Sequence, residues 1–173
     1  LDSGGIFSIS WCQDGTMLAL GGGNGSVGFA SITDRSVQSG HLDAVLDETN
    51  RRNTISVRNL REDTSEELDH RDRVIEMSLG HGHLVVSTTS QCYVYNTSSW
   101  TNPHVEDLKE PPTLILQCPY HFALVDSQGI NLYSYEGRAM STVRYTGLRV
   151  EFLNARTLSI CRDAVALVDP TNP

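Results

Sequence analysis

Apolar residues fall along this chain in short runs separated by Gly, Asn and Asp, and the pattern then repeats. The clearest unit begins with Ile6-Phe7-Ser8-Ile9-Ser10-Trp11, Cys12-Gln13-Asp14-Gly15 and Thr16-Met17-Leu18-Ala19-Leu20. It ends with Gly21-Gly22-Gly23-Asn24-Gly25 and Ser26-Val27-Gly28-Phe29-Ala30. Three apolar runs divided by Asp-Gly and Asn-Gly predict three antiparallel strands joined by two-residue hairpins, because these dipeptides tolerate the positive φ such turns require. A sheet this small cannot bury both faces alone and must stack on copies of itself.

Those copies follow. Val74–Leu79, His83–Thr88 and Gln91–Tyr95 form one; Thr113–Gln117, His121–Val125 and Ile130–Ser134 form another. Thr157–Cys161 and Ala164–Val168 begin a further copy that lacks its third strand. Outer strands are predicted at Thr54–Val57 and Thr142–Tyr145. The later copies start roughly 40 residues apart, the period of propeller blades. No segment sustains a helical period. The expected class is all-β, a β-propeller of four-stranded antiparallel blades. A ring of about seven blades takes about 300 residues at that period, so the chain is read as an excerpt of a longer protein. Between the first and second copies lies a polar stretch, Asp47–Arg73. It is read as a junction between two propellers, with a long surface loop inside one propeller as the alternative.

Composition narrows the function classes. The 173 residues are 39% hydrophobic and 20% charged, which is globular. A net charge of -8 argues against nucleic acid and anionic membrane surfaces. No apolar run approaches the ~20 residues of a membrane span. The chain opens at Leu1 inside a strand pattern, so its true N-terminus is expected to lie elsewhere. Cys12, Cys92, Cys118 and Cys161 are widely spaced without a CxxC pair, and are expected to be buried, reduced thiols of a cytosolic protein.

Candidate chemistry is sparse. Gly21–Gly25 is a hairpin turn rather than a phosphate cradle, since no Lys-Ser/Thr pair opening a helix follows it. His81-Gly82-His83 brackets a turn and is not expected to hold a metal. No Gly-x-Ser-x-Gly elbow occurs. Asp107, Glu110 and Asp126 are the carboxylates a hydrolase would need, with surface charge as the default reading. Asn24-Gly25-Ser26 and Asn96-Thr97-Ser98 match the short N-glycosylation pattern but lack a secretory context. Arg51, Arg52, Arg58 and Arg61 are read as a solvated basic face. Tyr133 alternates into the core pattern of its strand. Trp11, Asp14, Gly15, Asn24 and Gly25 are the blade and turn positions. Trp100, expected in a loop, together with Arg71 and Arg73, are the partner-binding candidates. No catalytic residue, metal or cofactor is expected.

The run from Trp11-Cys12-Gln13-Asp14-Gly15 through Leu18-Ala19 to Gly25 resembles a WD40 repeat, with Cys12 where Ser is usual; the closing Trp-Asp dipeptide is missing from every copy. Longer stretches are more specific: His70–Ile75, His83–Thr88, Gln91–Tyr95, Asp107–Glu110 and Leu132–Arg138. In order, they resemble the intraflagellar transport protein 80 family, WD40-repeat subunits of intraflagellar transport complex B. Ile32–Asn50 and the neighbourhood of Pro111-Pro112 agree least and are read as variable loops. The resemblance implies two tandem propellers followed by a helical solenoid. Residues 1–69 would be the last blade of the first propeller plus a linking segment, and residues 70–173 the opening blades of an incomplete second. The implied work is a non-catalytic scaffold in cilium or flagellum assembly and cargo transport. It would act in the cytoplasm, at the basal body and in the cilium, docking complex B subunits that include one with a calponin-homology domain. No nucleic acid and no membrane insertion are expected. The alternatives are another double-propeller trafficking scaffold, such as a vesicle-coat subunit, or a propeller hydrolase.

Overall fold

Alternation of side chains across each strand decides how this chain packs, because most of the central strands carry apolar residues on both faces. The computed structural model describes residues 5–13, 15, 17–31, 34–47, 52–144 and 147–168. A first sheet is formed by β1 (Ile6–Trp11), β2 (Met17–Gly22) and β3 (Val27–Ser31), paired in that order. A second holds β4 (Asp34–Ser39), β5 (Leu42–Asp47), β6 (Thr54–Asn59) and β7 (Thr64–Asp69). A third holds β8 (Val74–Gly80), β9 (His83–Thr88), β10 (Gln91–Asn96) and β11 (Ser99–Asp107). A fourth holds β12 (Leu114–Gln117), β13 (His121–Asp126), β14 (Gly129–Ser134) and β15 (Ala139–Val143). The last is a pair, β16 (Leu158–Ile160) and β17 (Val165–Leu167), preceded by one turn of 3-10 helix at Val150–Phe152.

Every pairing is antiparallel between strands adjacent in sequence, the meander of a propeller blade. The leading strands of successive sheets touch in turn: β4 against β8, β8 against β12, β12 against β16. That order places the first strand of each sheet innermost.

The cores lie between sheets rather than within them. Ala44, Leu46, Ile55, Val57 and Leu68 of the second sheet pack on Val74, Met77, Leu84, Val86 and Tyr95 of the third. The other face of the third presents Val85, Cys92 and Val94 to Ile115, Phe122, Leu124 and Tyr135 of the fourth. Ala123, Val125 and Ile130, on the reverse of the fourth, pack with Leu158. Thus Leu84 and Val86 serve one interface and Val85 the next, as a period of two requires.

The first sheet stands apart among the described residues. It makes no comparable contact with the others. Ile6, Phe7, Ile9, Trp11, Val27 and Phe29 are all more than half exposed.

Several expectations change. The polar stretch read as a junction or long loop contains two strands, β6 and β7, and the neighbourhood of Ile32–Asn50, read as variable loop, contains β4 and β5. Together they make a complete blade. Thr54–Val57, expected as an outer strand, lies in its third strand. Its turns lack Asp-Gly and Asn-Gly, and β7 (TSEELD) buries only Leu68, so little apolar signal survives. The β2–β3 connection is not a two-residue hairpin: the Gly22 N–H donates to the Ser26 carbonyl at 2.8 Å, and Gly25 lies at φ +80°. All four cysteines are free; Cys92 and Cys118 are buried as expected, but Cys12 and Cys161 are exposed. Among the described residues, Cys12 follows β1 of the first sheet, which stands apart from the others, and Cys161 follows β16 of the last strand pair, which no further sheet covers.

Candidate functional site

Anchoring begins with His70, in the connection between β7 and β8. Its ring is buried, with Nδ1 3.0 Å from the Asn53 carbonyl and Nε2 3.2 Å from the Tyr95 hydroxyl. It stands edge-on to Tyr93 and Tyr95, with ring centroids 4.8 and 5.9 Å away. Burial pushes its pKa below the usual histidine value, opposed in part by its bond to Asn53 and by Asp69. Burial likewise raises Tyr95 to about 12.

Backbone bonds complete the clamp. The His70 N–H donates to the Asn53 carbonyl and the Val74 N–H to the Arg52 carbonyl, both at 2.9 Å. The Asn53 amide donates back to the His70 carbonyl at 3.0 Å. The β5–β6 and β7–β8 connections are therefore tied together at one end of the blades.

On this clamped segment lie Arg71, Asp72 and Arg73. Both arginines are exposed. The Asp72 carboxylate accepts a bond from the Ser90 hydroxyl at 2.5 Å, in the β9–β10 turn. Arg58 and Arg35 are differently disposed: Arg58 pairs with Asp63 at 2.8 Å, while Arg35 bonds the Ile75 carbonyl at 2.6 Å and lies 3.9 Å from Glu76.

Trp100 is placed elsewhere. It lies on β11 rather than in a loop, half-buried, with its ring 6.5 Å from that of Tyr95 and its side chain packed against the core between the second and third sheets. β11 enters at the end of the sheet opposite Arg71 and Arg73, so the structure separates these candidates. One edge of Trp100 lines a shallow groove with Leu42, Val57 and Thr97.

Trp11 is 59% exposed on β1. Gly15 has φ +72°, a left-handed conformation that suits glycine in the β1–β2 turn. Asn24 accepts a bond from the Ser26 N–H at 2.9 Å through Oδ1, closing its turn. Asp14 lies outside the described residues, as do Arg51 and Tyr145.

The carboxylates weighed for hydrolysis do converge, around a groove of about 490 Å³ between the third and fourth sheets that also carries Lys109, Tyr133 and Arg144. Each is engaged in the scaffold. Asp107 accepts from the Gln91 amide at 2.9 Å, and Glu110 accepts from the Ser127 hydroxyl. Asp126 accepts from the N–H groups of Gln128 and Gly129 and from the Asn131 amide. These bonds tie β10 to β11, hold the β11–β12 connection against the β13–β14 turn, and close that turn.

His81 (φ +50°) and Gly82 form the β8–β9 turn, and the His83 ring stacks on Tyr135 with centroids 4.0 Å apart. Among the described residues, no group of three or more His, Cys, Asp or Glu side chains is placed to hold a metal ion. No helix there is long and apolar enough to cross a membrane.

Comparison with known proteins gives a consistent result. The family model for the second β-propeller of intraflagellar transport protein 80 matches residues 34–173. Intraflagellar transport protein 80 homologs of Rattus norvegicus and Mus musculus are each 45% identical over 169 residues, which is 97% of this chain. The chain spans 21% of the length of each. Among solved structures, the extracellular domain of a one-component system from B. thetaiotaomicron aligns with a TM-score of 0.52 at 10% identity. It covers 83% of this chain and 22% of that one, a likeness of fold alone.

Proposed function

Because this chain belongs to the family of the second β-propeller of intraflagellar transport protein 80, we propose that it serves as a non-catalytic scaffold in intraflagellar transport complex B. The observation that carries this reading is the family match from residue 34 onward, over consecutive blades whose inner strands touch in series. Blades of this kind present rigid loops to partners, and a few buried anchors in those loops supply most of the binding energy. The partners are other complex B subunits, with a calponin-homology-domain subunit among them, and the protein works in the cytoplasm, at the basal body and within the cilium or flagellum.

The family match at residue 34 and the blade made by residues 34–69 favour a propeller boundary near residue 33 over one near residue 69. On this reading β1–β3 is a blade of the preceding propeller. Its exposed Phe7, Ile9, Val27 and Phe29 then pack on further blades of the same protein.

Catalysis is tested through the engaged carboxylates. In ciliated cells lacking the native gene, the full-length protein carrying Asp107→Asn with Glu110→Gln is expected to restore ciliary length as well as wild type does. Both changes keep an acceptor for Gln91 and Ser127. Restoration by wild type alone, with normal levels of the variant, would show that the carboxylates do chemistry.

A further inference from the structure

We propose that Arg71 and Arg73 form a preorganised docking point for an acidic, Asp/Glu-rich segment of a partner protein. It rests on the scaffold reading for the partner's being a protein; the charge arrangement stands without that reading.

The first ground is the unspent charge. The chain is acidic, with 21 Asp and Glu against 13 Lys and Arg. Under such a balance, arginines are usually taken up by neighbouring carboxylates, as Arg58 is by Asp63. Arg71 and Arg73 have no hydrogen-bond or ion-pair partner among the described residues. The carboxylate between them, Asp72, is turned to Ser90. A segment that alternates cation, anion, cation therefore presents its cations while its anion is occupied.

The second ground is rigidity. A flexible arginine loses much of its interaction energy to the entropy of ordering it. Here the main chain on either side is fixed. His70 precedes the pair, buried and bonded through both ring nitrogens, and the buried Val74 follows it, its N–H bonded to Arg52. The backbone under both guanidinium groups is thus ordered before any partner arrives. Arg52 is exposed on the facing connection.

The third ground is chemical fit. A guanidinium offers paired donors that match a carboxylate's oxygens. Two arginines at alternate positions suit an extended segment with acidic residues at a similar spacing.

The test uses purified full-length protein and a fluorescein-labelled peptide of alternating Glu, Asp and Ser, read by fluorescence anisotropy. Wild type is expected to bind with an affinity that falls as salt is added. Arg71→Glu with Arg73→Glu is expected to weaken binding by about tenfold or more, since two lost pairs and the new repulsion together exceed about 1.4 kcal/mol. Arg138→Glu with Arg156→Glu makes the same change of net charge at other exposed sites and is expected to leave binding within about twofold. Arg71→Lys with Arg73→Lys keeps the charge, and is expected to retain most of the binding. Circular dichroism and elution volume report whether each variant folds; if the Glu variant does not, the Arg71→Gln with Arg73→Gln variant takes its place, with a smaller loss expected. Absence of binding by wild type would overturn the proposal, as would equal losses in the two Glu variants. Tighter binding to phosphatidylserine-containing vesicles than to the peptide would also overturn it, assigning the surface to a membrane. A failed peptide test with intact association with complex B would remove this docking point and leave the scaffold reading standing.

Discussion

His70 shows at the residue scale how a side chain far from any reaction sets what the loop presents. Its ring packs edge-on against Tyr93 and Tyr95, while its nitrogens and backbone tie the β5–β6 and β7–β8 connections together. Because burial lowers its folded pKa, the unfolded chain takes up a proton first as the solution is acidified. The stability due to this group is therefore fully present above its unfolded pKa of about 6.5 and is lost as pH falls through the lower folded value. Denaturant unfolding between about pH 7.5 and about pH 5.5 is expected to show falling stability, and His70→Gln to make that fall shallower. The same substitution should cost about 1–3 kcal/mol at neutral pH, since the Tyr95 hydroxyl loses its buried ring partner, while the Asn53 carbonyl keeps the backbone N–H of residue 70. An unchanged pH slope would assign the protonation to another group. Sequence alone marks Arg71 and Arg73 but not what makes them available. Ser90 lies 18 positions from Asp72, and Tyr95 lies 25 positions from His70, so only the fold brings these partners together.

At the scale of elements, strands were legible wherever both faces are buried. β8–β10 and β12–β14 carry near-continuous apolar residues and are readable from pattern alone. Outer strands lose that signal because one side faces solvent. β11 (SWTNPHVED) holds Pro103 and few apolar residues; as the edge of its sheet it has no further neighbour to which Pro103 would have to donate. β7 is hidden for the same reason, while β4 (DRSVQS), though innermost, carries Val37 as its single apolar residue, so of the second sheet the pattern showed Thr54–Val57 and not the blade. Its membership in the core is nonetheless unambiguous, since Leu46 is only 1% exposed within the cluster shared with the third sheet. Leu46→Ala is expected to destabilise this interface by about 2–5 kcal/mol. Hydrogen exchange should then quicken in β5, β6, β8 and β9 together, with β13 and β14 less affected. Faster exchange confined to β5 and β6 would mean that the two sheets do not share a core.

At the scale of the whole molecule, the blade series sets what each polar side chain is used for. Where the carboxylates gather, they are spent on a bond between neighbouring strands of the third sheet and on a turn of the fourth. What remains toward solvent is loops, edges and a few uncommitted charges, which is the equipment of a docking surface. The central claim is that such blades work inside the transport complex. Its most direct measurement is quantitative mass spectrometry of size-exclusion fractions from ciliated cells expressing the tagged full-length protein. The account predicts that the protein elutes with complex B subunits at constant ratio across the peak. Elution as a free protein, or at constant ratio with vesicle-coat subunits, would contradict it.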